Sequence, residues 1–299
     1  VLAAKLLQDG GDDQLYQEVN GATLYYREYG SGDRYVLSAQ GGFDLDEKGW
    51  PMDLADEGFH VFTIQIRGHG KSTHVHEDLG EEWYNIWADD VYEFAKRKGI
   101  DRFFYTGQSH GAGIGWHLAL RHPEVLVGFA ALVGGPHSRK GGMTSPARLE
   151  TIRTAGDPEA RKRSAEQVRR HFLGFAEKFA HDPELKAEFE QKAEKAYQEE
   201  LKRAVEEIKI NPRKPLAYLK TDEEVYEELS KIEVPVLMIN GYKDELVPIT
   251  DIVWPITVIK NSKLIVYQEA GHSIHYDRRD DVRRDIALFA RTCFESQSN

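Results

Sequence analysis

The chain has 299 residues, 40% of them apolar and 11% aromatic, and carries a formal charge of −11 from 50 acidic against 39 basic side chains. Such a composition can bury a sizeable core and excludes fibrous and disordered classes. Its negative balance opposes phosphate backbones and anionic lipid, so neither nucleic acid nor a membrane is expected as a partner. The single cysteine, Cys293, rules out an intramolecular disulfide and a thiolate metal cluster and fits a reducing, cytoplasmic compartment. No apolar run reaches the ~18–20 residues that cross a bilayer.

The first predicted elements are Tyr16–Val19 and Thr23–Tyr29, β-rich runs flanking Asn20-Gly21, the pair that favours the type I′ turn of an antiparallel hairpin. Further β-rich runs follow at Tyr35–Ala39, His60–Ile66, Arg102–Thr106, Val127–Val133, Val234–Asn240 and Lys263–Tyr267. Between most of them lie helically spaced segments, Glu47–Glu57, Glu81–Lys98, His110–His122 and finally Arg278–Ser296. Apolar strands alternating with helices predict an α/β fold with a mostly parallel sheet covered on both faces.

From Pro136 to Asp222 the alternation stops. Pro183–Ile208 places Leu185, Phe189, Ala193, Tyr197, Leu201, Val205 and Ile208 mostly four apart, which predicts one long amphipathic helix, and Ala165–Ala180 predicts another upstream. The expected organisation is a core of residues 1–135 and 223–299 interrupted by a helical insertion over 136–222, read as a cap above a site. Packing helices are the plainer reading of the same pattern.

The chemistry centres on Gly107-Gln108-Ser109-His110-Gly111, where a strand ends and a helix begins. Two glycines clear the space a tight strand-to-helix turn needs, so Ser109 can take a strained backbone and expose its hydroxyl before a helix N-terminus. A serine hydroxyl is a poor nucleophile without a base and a group to orient that base. Asp244 lies just beyond the strand Val234–Asn240, with Glu245 and Asp251 as rivals, and His272 just beyond Lys263–Tyr267, with His275 as its rival. In a parallel sheet these loops leave one edge, where sites of open α/β folds are built. A glycine-rich loop, Gln40-Gly41-Gly42-Phe43, leaves the same edge and suits an oxyanion donor beside the N–H of His110.

With these pieces in the order nucleophile, acid, histidine, together with Arg67-Gly68-His69-Gly70-Lys71-Ser72, Gly241 to Pro248 and Gly271-His272, the chain resembles the α/β-hydrolase superfamily along nearly its whole length. The resemblance implies Ser109, Asp244 and His272 as a triad, Gly42 and His110 as backbone oxyanion donors, a cap after Val127–Val133, and no metal or other cofactor. The chain departs from the family's usual pattern at Gln40, where histidine is usual, and at Gln65, where an acid is usual; both bear on how the oxyanion loop is anchored. The His110 imidazole either lines the pocket or packs on the neighbouring loop. Gln40, Phe43, Trp83, Phe172 and Phe175 are the pocket candidates, with core packing as the alternative for the aromatic residues of the helices.

The expected function is cofactor-independent hydrolysis of a small or medium carboxylic ester or lactone through an acyl-enzyme. Two alternatives stand beside it: the same triad used for carbon–carbon hydrolysis, perhydrolysis or cofactor-free oxygenation, and a ligand receptor of this fold with little turnover.

Overall fold

The computed structural model describes residues 16–42 and 50–297, which group into two compact units. One contains the described residues up to Thr73, Leu79–Met143 and those from Pro212 on; the other contains His74–Asp78 and Thr144–Asn211.

The first unit is built on an eight-stranded sheet. Strands β1 (Tyr16–Val19) and β2 (Ala22–Tyr29) form the antiparallel hairpin, and Asn20 and Gly21 have φ of 46° and 73°, the two positive values a type I′ turn demands. Then come β3 (Tyr35–Gln40), β4 (His60–Gln65), β5 (Phe103–Gln108), β6 (Leu126–Leu132), β7 (Val236–Gly241) and β8 (Ser262–Tyr267), in the sheet order β1-β2-β4-β3-β5-β6-β7-β8. β3 to β8 are mutually parallel and β2 meets β4 antiparallel. The order reverses around β3, whose neighbours are β4 and β5, and at such a switch point the loops at the strand carboxyl ends diverge to leave a crevice.

In chain order the helices are α1 (Trp83–Arg97), α2 (His110–Arg121), α3 (Pro146–Arg153), α4 (Pro158–Lys178), α5 (Pro183–Lys202), α6 (Val205–Lys209), α7 (Asp222–Leu229), α8 (Ile249–Val253), α9 (Ile274–Asp277) and α10 (Arg279–Glu295). All seven residues of β6 are buried, as a central strand covered on both faces requires. α10 presents Val282, Ile286, Ala287, Ala290 and Cys293 to a core that includes Val36, Phe104 and Leu237; burial there pushes the Cys293 thiol up to about 12, which leaves it inert.

Two helix expectations are corrected. Part of the segment Glu47–Glu57 lies outside the described residues, and the rest holds only a short 3₁₀ turn, Met52–Ala55. The single helix expected over Pro183–Ile208 stops at Lys202, where Arg203 turns to φ −52° and ψ 136°. Arg161 Nη2 donates to the carbonyls of Leu201 and Arg203, both at 2.6 Å, and so satisfies groups that a continuous helix would have bonded internally. The Arg203 guanidinium meanwhile pairs with Glu200 at 2.9 Å and Glu207 at 3.0 Å. Within the same unit Phe189 of α5 stacks on Phe175 and Phe179, with ring centroids 5.2 and 5.5 Å apart.

Residues 136–143 and 212–222 group with the sheet rather than with the helical unit. Ser138 Oγ donates to Asp222 at 2.9 Å, Arg139 Nη2 to the Pro215 carbonyl at 2.7 Å, and Lys214 Nζ to the carbonyls of Ser138 and Lys140 at 2.5 and 2.9 Å. The Leu216 N–H donates to Nε2 of His117 on α2 at 2.9 Å, and His117 Nδ1 lies 2.8 Å from Asn85 Oδ1. His117 is 1% exposed, and its burial lowers its pKa from 6.5 to about 3, so it is held as a neutral ring.

Candidate active site

β5 ends at Gln108 and α2 begins at His110, so the whole reversal falls on Ser109, which sits at φ 51° and ψ −111°. Few residues other than glycine occupy that region, and holding one there costs on the order of 1–3 kcal/mol. The packing that enforces it is backbone against backbone. A Cβ added to Gly107 would lie 2.3 Å from the Gly111 carbonyl carbon, and one added to Gly111 would lie 2.6 Å from the Ala39 oxygen. The Ser109 N–H donates to Leu132 O at 2.9 Å, which ties the turn to the end of β6, and Tyr105 Oη donates to Gly111 O at 2.9 Å beneath it.

β7 and β8 are neighbours, and their loops are drawn together beyond the sheet. Tyr242 N–H donates to Tyr267 O and Lys243 N–H to Ala270 O, each at 2.9 Å. A Cβ on Gly241 would meet Ala270 O at 2.3 Å, whereas one on Gly271 would meet only ordinary contact, 3.7 Å from Lys243 O. Of these two glycines the first is therefore the one the approach requires. The Asp244 side chain, 0% exposed, accepts from the N–H groups of Leu246 and Val247 with Oδ1, both at 2.9 Å, and faces His272 Nδ1 at 2.9 Å with Oδ2. Its rivals lie elsewhere: Glu245 is exposed, and Asp251 lies 3.2 Å from Nδ1 of His137. His275, the rival base, is buried against the Tyr276 ring. Gln108 Nε2 reaches the His272 carbonyl at 3.5 Å, so the residue beside Ser109 touches the loop that carries the histidine.

On the other side of β5, Gln40 ends β3 and is half-buried, with its amide 3.3 Å from Ser38 Oγ, and Gly42 is exposed. Gln40 O accepts from Ile66 N–H at 3.0 Å. The side chain of Gln65 accepts from Lys71 N–H at 2.6 Å and donates to Gly42 O at 3.5 Å. The Arg67 of the same motif has a structural place, forked onto Asp90 of α1 at 2.7 and 2.9 Å. The His110 imidazole is exposed and shares a 2.8 Å hydrogen bond with Tyr84 Oη of α1, a phenol whose burial pushes its pKa up and so keeps it protonated.

Of the pocket candidates, Phe43 lies outside the described residues. Trp83 is 0% exposed with its ring 5.2 Å from that of Trp87, so it has no surface to offer a ligand; it is a core side chain of α1. Phe172 and Phe175 are buried on α4 in the helical unit. The contacts made by the Gln65 and Gln108 side chains do not follow from the sequence: a glutamine at a strand's carboxyl end is the available signal, and the reach of its side chain is not readable from spacing. Among the described residues no group of three His, Cys, Asp or Glu could hold a metal ion, and no helix is long and apolar enough to cross a membrane.

A profile of the alpha/beta hydrolase fold matches residues 40–279. Over 290 residues the chain is 24% identical to the bifunctional esterase/perhydrolase of Acinetobacter calcoaceticus, covering 91% of this chain and 98% of that one. It is 24% identical over 277 residues to the pimeloyl-(acyl-carrier protein) methyl ester esterase of Vibrio atlanticus, covering 90% and 98%. Among solved structures, the enol-lactonase from Burkholderia xenovorans superposes with a TM-score of 0.69 at 22% identity, over 92% of this chain and 98% of that one.

Proposed function

The chain belongs to the alpha/beta hydrolase fold family, and on that premise we propose that it is a serine hydrolase cleaving a small or medium carboxylic ester or lactone through an acyl-enzyme. The observation that carries the reading is the buried Asp244 carboxylate 2.9 Å from His272 Nδ1, at the sheet edge where Ser109 stands on its strained turn. Asp244 holds the ring with its proton on Nδ1, which leaves Nε2 as the base. Ser109 Oγ attacks the carbonyl carbon as Nε2 takes its proton, and the N–H groups of His110 and Gly42 stabilise the tetrahedral oxyanion. Nε2 returns the proton to the departing alkoxide. Water then attacks the acyl-enzyme with His272 again as base, and the acid leaves. A lactone follows the same path with its alcohol still tethered to the acyl group.

The likeness to an esterase/perhydrolase favours a second reading at the last step, in which hydrogen peroxide replaces water as acceptor and a peracid is released. Both readings share the acyl-enzyme, so one experiment tests their common part. Intact-mass analysis after a fluorophosphonate probe is expected to show one adduct on the wild type and none on Ser109→Ala; no adduct on the wild type, or one on the variant, overturns the proposal. Asp244→Asn is expected to lower kcat on an aryl ester by about 10⁴-fold, because the ring loses its tautomer and its orientation together. Assaying acyl transfer to peroxide against water then separates the two readings.

A further inference from the structure

Gln65 lies at the end of β4, 6% exposed, in a position that the proposed chemistry leaves without a role. Its carboxamide has two different partners. Oε1 accepts from Lys71 N–H at 2.6 Å, and because a backbone N–H can only donate, that contact fixes which end of the amide is oxygen. Nε2 is thereby turned to the Gly42 carbonyl, 3.5 Å away. The surrounding chain is arranged to seat this amide. A Cβ on Gly70 would lie 2.1 Å from Gln65 Nε2, so glycine leaves the room the amide occupies, and Ser72 Oγ donates to Gln65 O at 2.6 Å while accepting from Tyr25 N–H at 2.9 Å.

We infer that Gln65 is a positioning residue for the oxyanion loop: by donating to the Gly42 carbonyl it holds the chain after Gly42, and with the Gln40 carbonyl held before the pair this limits rotation of the Gly41–Gly42 peptide, whose N–H is the donor. The inference rests on the hydrolase reading above. Gly41 and Gly42 have no side chains to limit rotation of their peptides, so an unanchored loop would sample many directions for that N–H. Two bonds bracket the pair, Ile66 N–H to Gln40 O at 3.0 Å before it and Gln65 Nε2 to Gly42 O after it, and both come from the end of β4. An oxyanion donor acts by being aimed before charge develops, so a bond that never touches substrate still raises the rate. A carboxylate at this position could accept from Lys71 N–H but could not donate to a carbonyl. The amide does both.

The test uses the rate constant for fluorophosphonate labelling of Ser109, since the phosphoryl oxygen occupies the same hole as an oxyanion, measured from pH 5 to 9 on the wild type, Gln65→Glu and Gln65→Met. Every form shares the pH dependence of the labelling reaction itself, so the informative quantity is the ratio of variant to wild type at each pH. Gln65→Glu is expected to label about 10- to 100-fold more slowly at pH 8 and to recover toward the wild-type rate as pH falls, because a protonated carboxyl carries one donor and one acceptor as the amide does. Gln65→Met, similar in size and unable to bond at either end, is expected to be slow by a similar factor with a ratio that does not change with pH. A merely structural role would move the melting temperature without a pH-dependent ratio. If the wild type labels and Gln65→Glu matches it throughout, or stays slow at every pH while folded, the inference is overturned and the hydrolase reading stands. Should Gln65→Glu fail to fold, wild-type labelling rates in Gln65→Met overturn it equally. A wild type that does not label removes the hydrolase reading and this inference with it.

Discussion

The sheet unit and the helical unit are held by different kinds of contact. Around the candidate site the sheet unit places backbone directly on backbone: Gly107 against Gly111, Gly111 against Ala39 and Gly241 against Ala270 leave no room for a methyl group. The helical unit joins its parts through side-chain ends, the rings of Phe175, Phe179 and Phe189 and the carboxylates of Glu200 and Glu207 around Arg203. Backbone contacts fix position tightly and admit no substitute, whereas ring stacks and ion pairs can be exchanged for others of similar size. The candidate site therefore lies in the unit with the less forgiving packing.

Gly107→Ala should break this comparison most severely. With 2.3 Å between the new Cβ and the Gly111 carbonyl carbon, the turn must move; loss of soluble protein, or about 3 kcal/mol or more of stability together with loss of probe labelling, is expected. Phe175→Ala, in the other unit, should cost about 3 kcal/mol in urea unfolding and leave labelling of Ser109 intact in the folded fraction. A loss of labelling as complete as that of Gly107→Ala would end the distinction between the units.

The third effect follows from His117, whose pKa falls from 6.5 in the unfolded chain to about 3 in the fold. Between those values the unfolded chain binds a proton that the folded chain refuses. Its contribution is therefore complete above pH 6.5 and is lost as pH drops, by about 2 kcal/mol at pH 5. His117→Gln, which cannot titrate, should lower stability at pH 8 but flatten the acid limb in denaturant melts at pH 8, 6, 5 and 4. The smallest change is Asp182→Ala. Asp182 caps α5 by accepting from the N–H groups of Glu184 and Leu185 at 3.0 and 3.1 Å, and its loss should cost about 1 kcal/mol with labelling unchanged.

The sheet was legible because its signals are local. Asn20-Gly21 needs no tertiary context to turn, and a run such as Val127–Val133 is apolar at almost every position because both of its faces are covered. The positions of Ser109, Asp244 and His272 at strand ends were legible for the same reason, and the contact between Asp244 and His272 follows from β7 and β8 being neighbours. What escaped depends on partners far away in the chain. The periodic stripe through Ile208 does not reveal that Arg161 ends the helix at Lys202, because that bond joins residues about forty positions apart. Gln65 reads as a departure from a pattern until its two bonds are in view, and Trp83 offers the same large ring to a pocket or to a core until its burial is known.

The bonds among Ser138, Arg139, Lys214 and Asp222 bear on how the chain acquires its structure. β6 and β7 are side by side, with Leu132 opposite Ile239, yet Thr144–Asn211 of the helical unit are threaded between them in sequence. Closing so long a loop from an open chain costs roughly 4 kcal/mol in lost freedom before any pairing is gained. Lys214 bonding to the Lys140 carbonyl closes the larger part of that loop, which leaves the shorter stretches from Leu132 to Lys140 and from Lys214 to Val236 to be ordered before the strands pair. Refolding should then show helix early and probe labelling late, since Ser109 precedes that junction while Asp244 and His272 follow it.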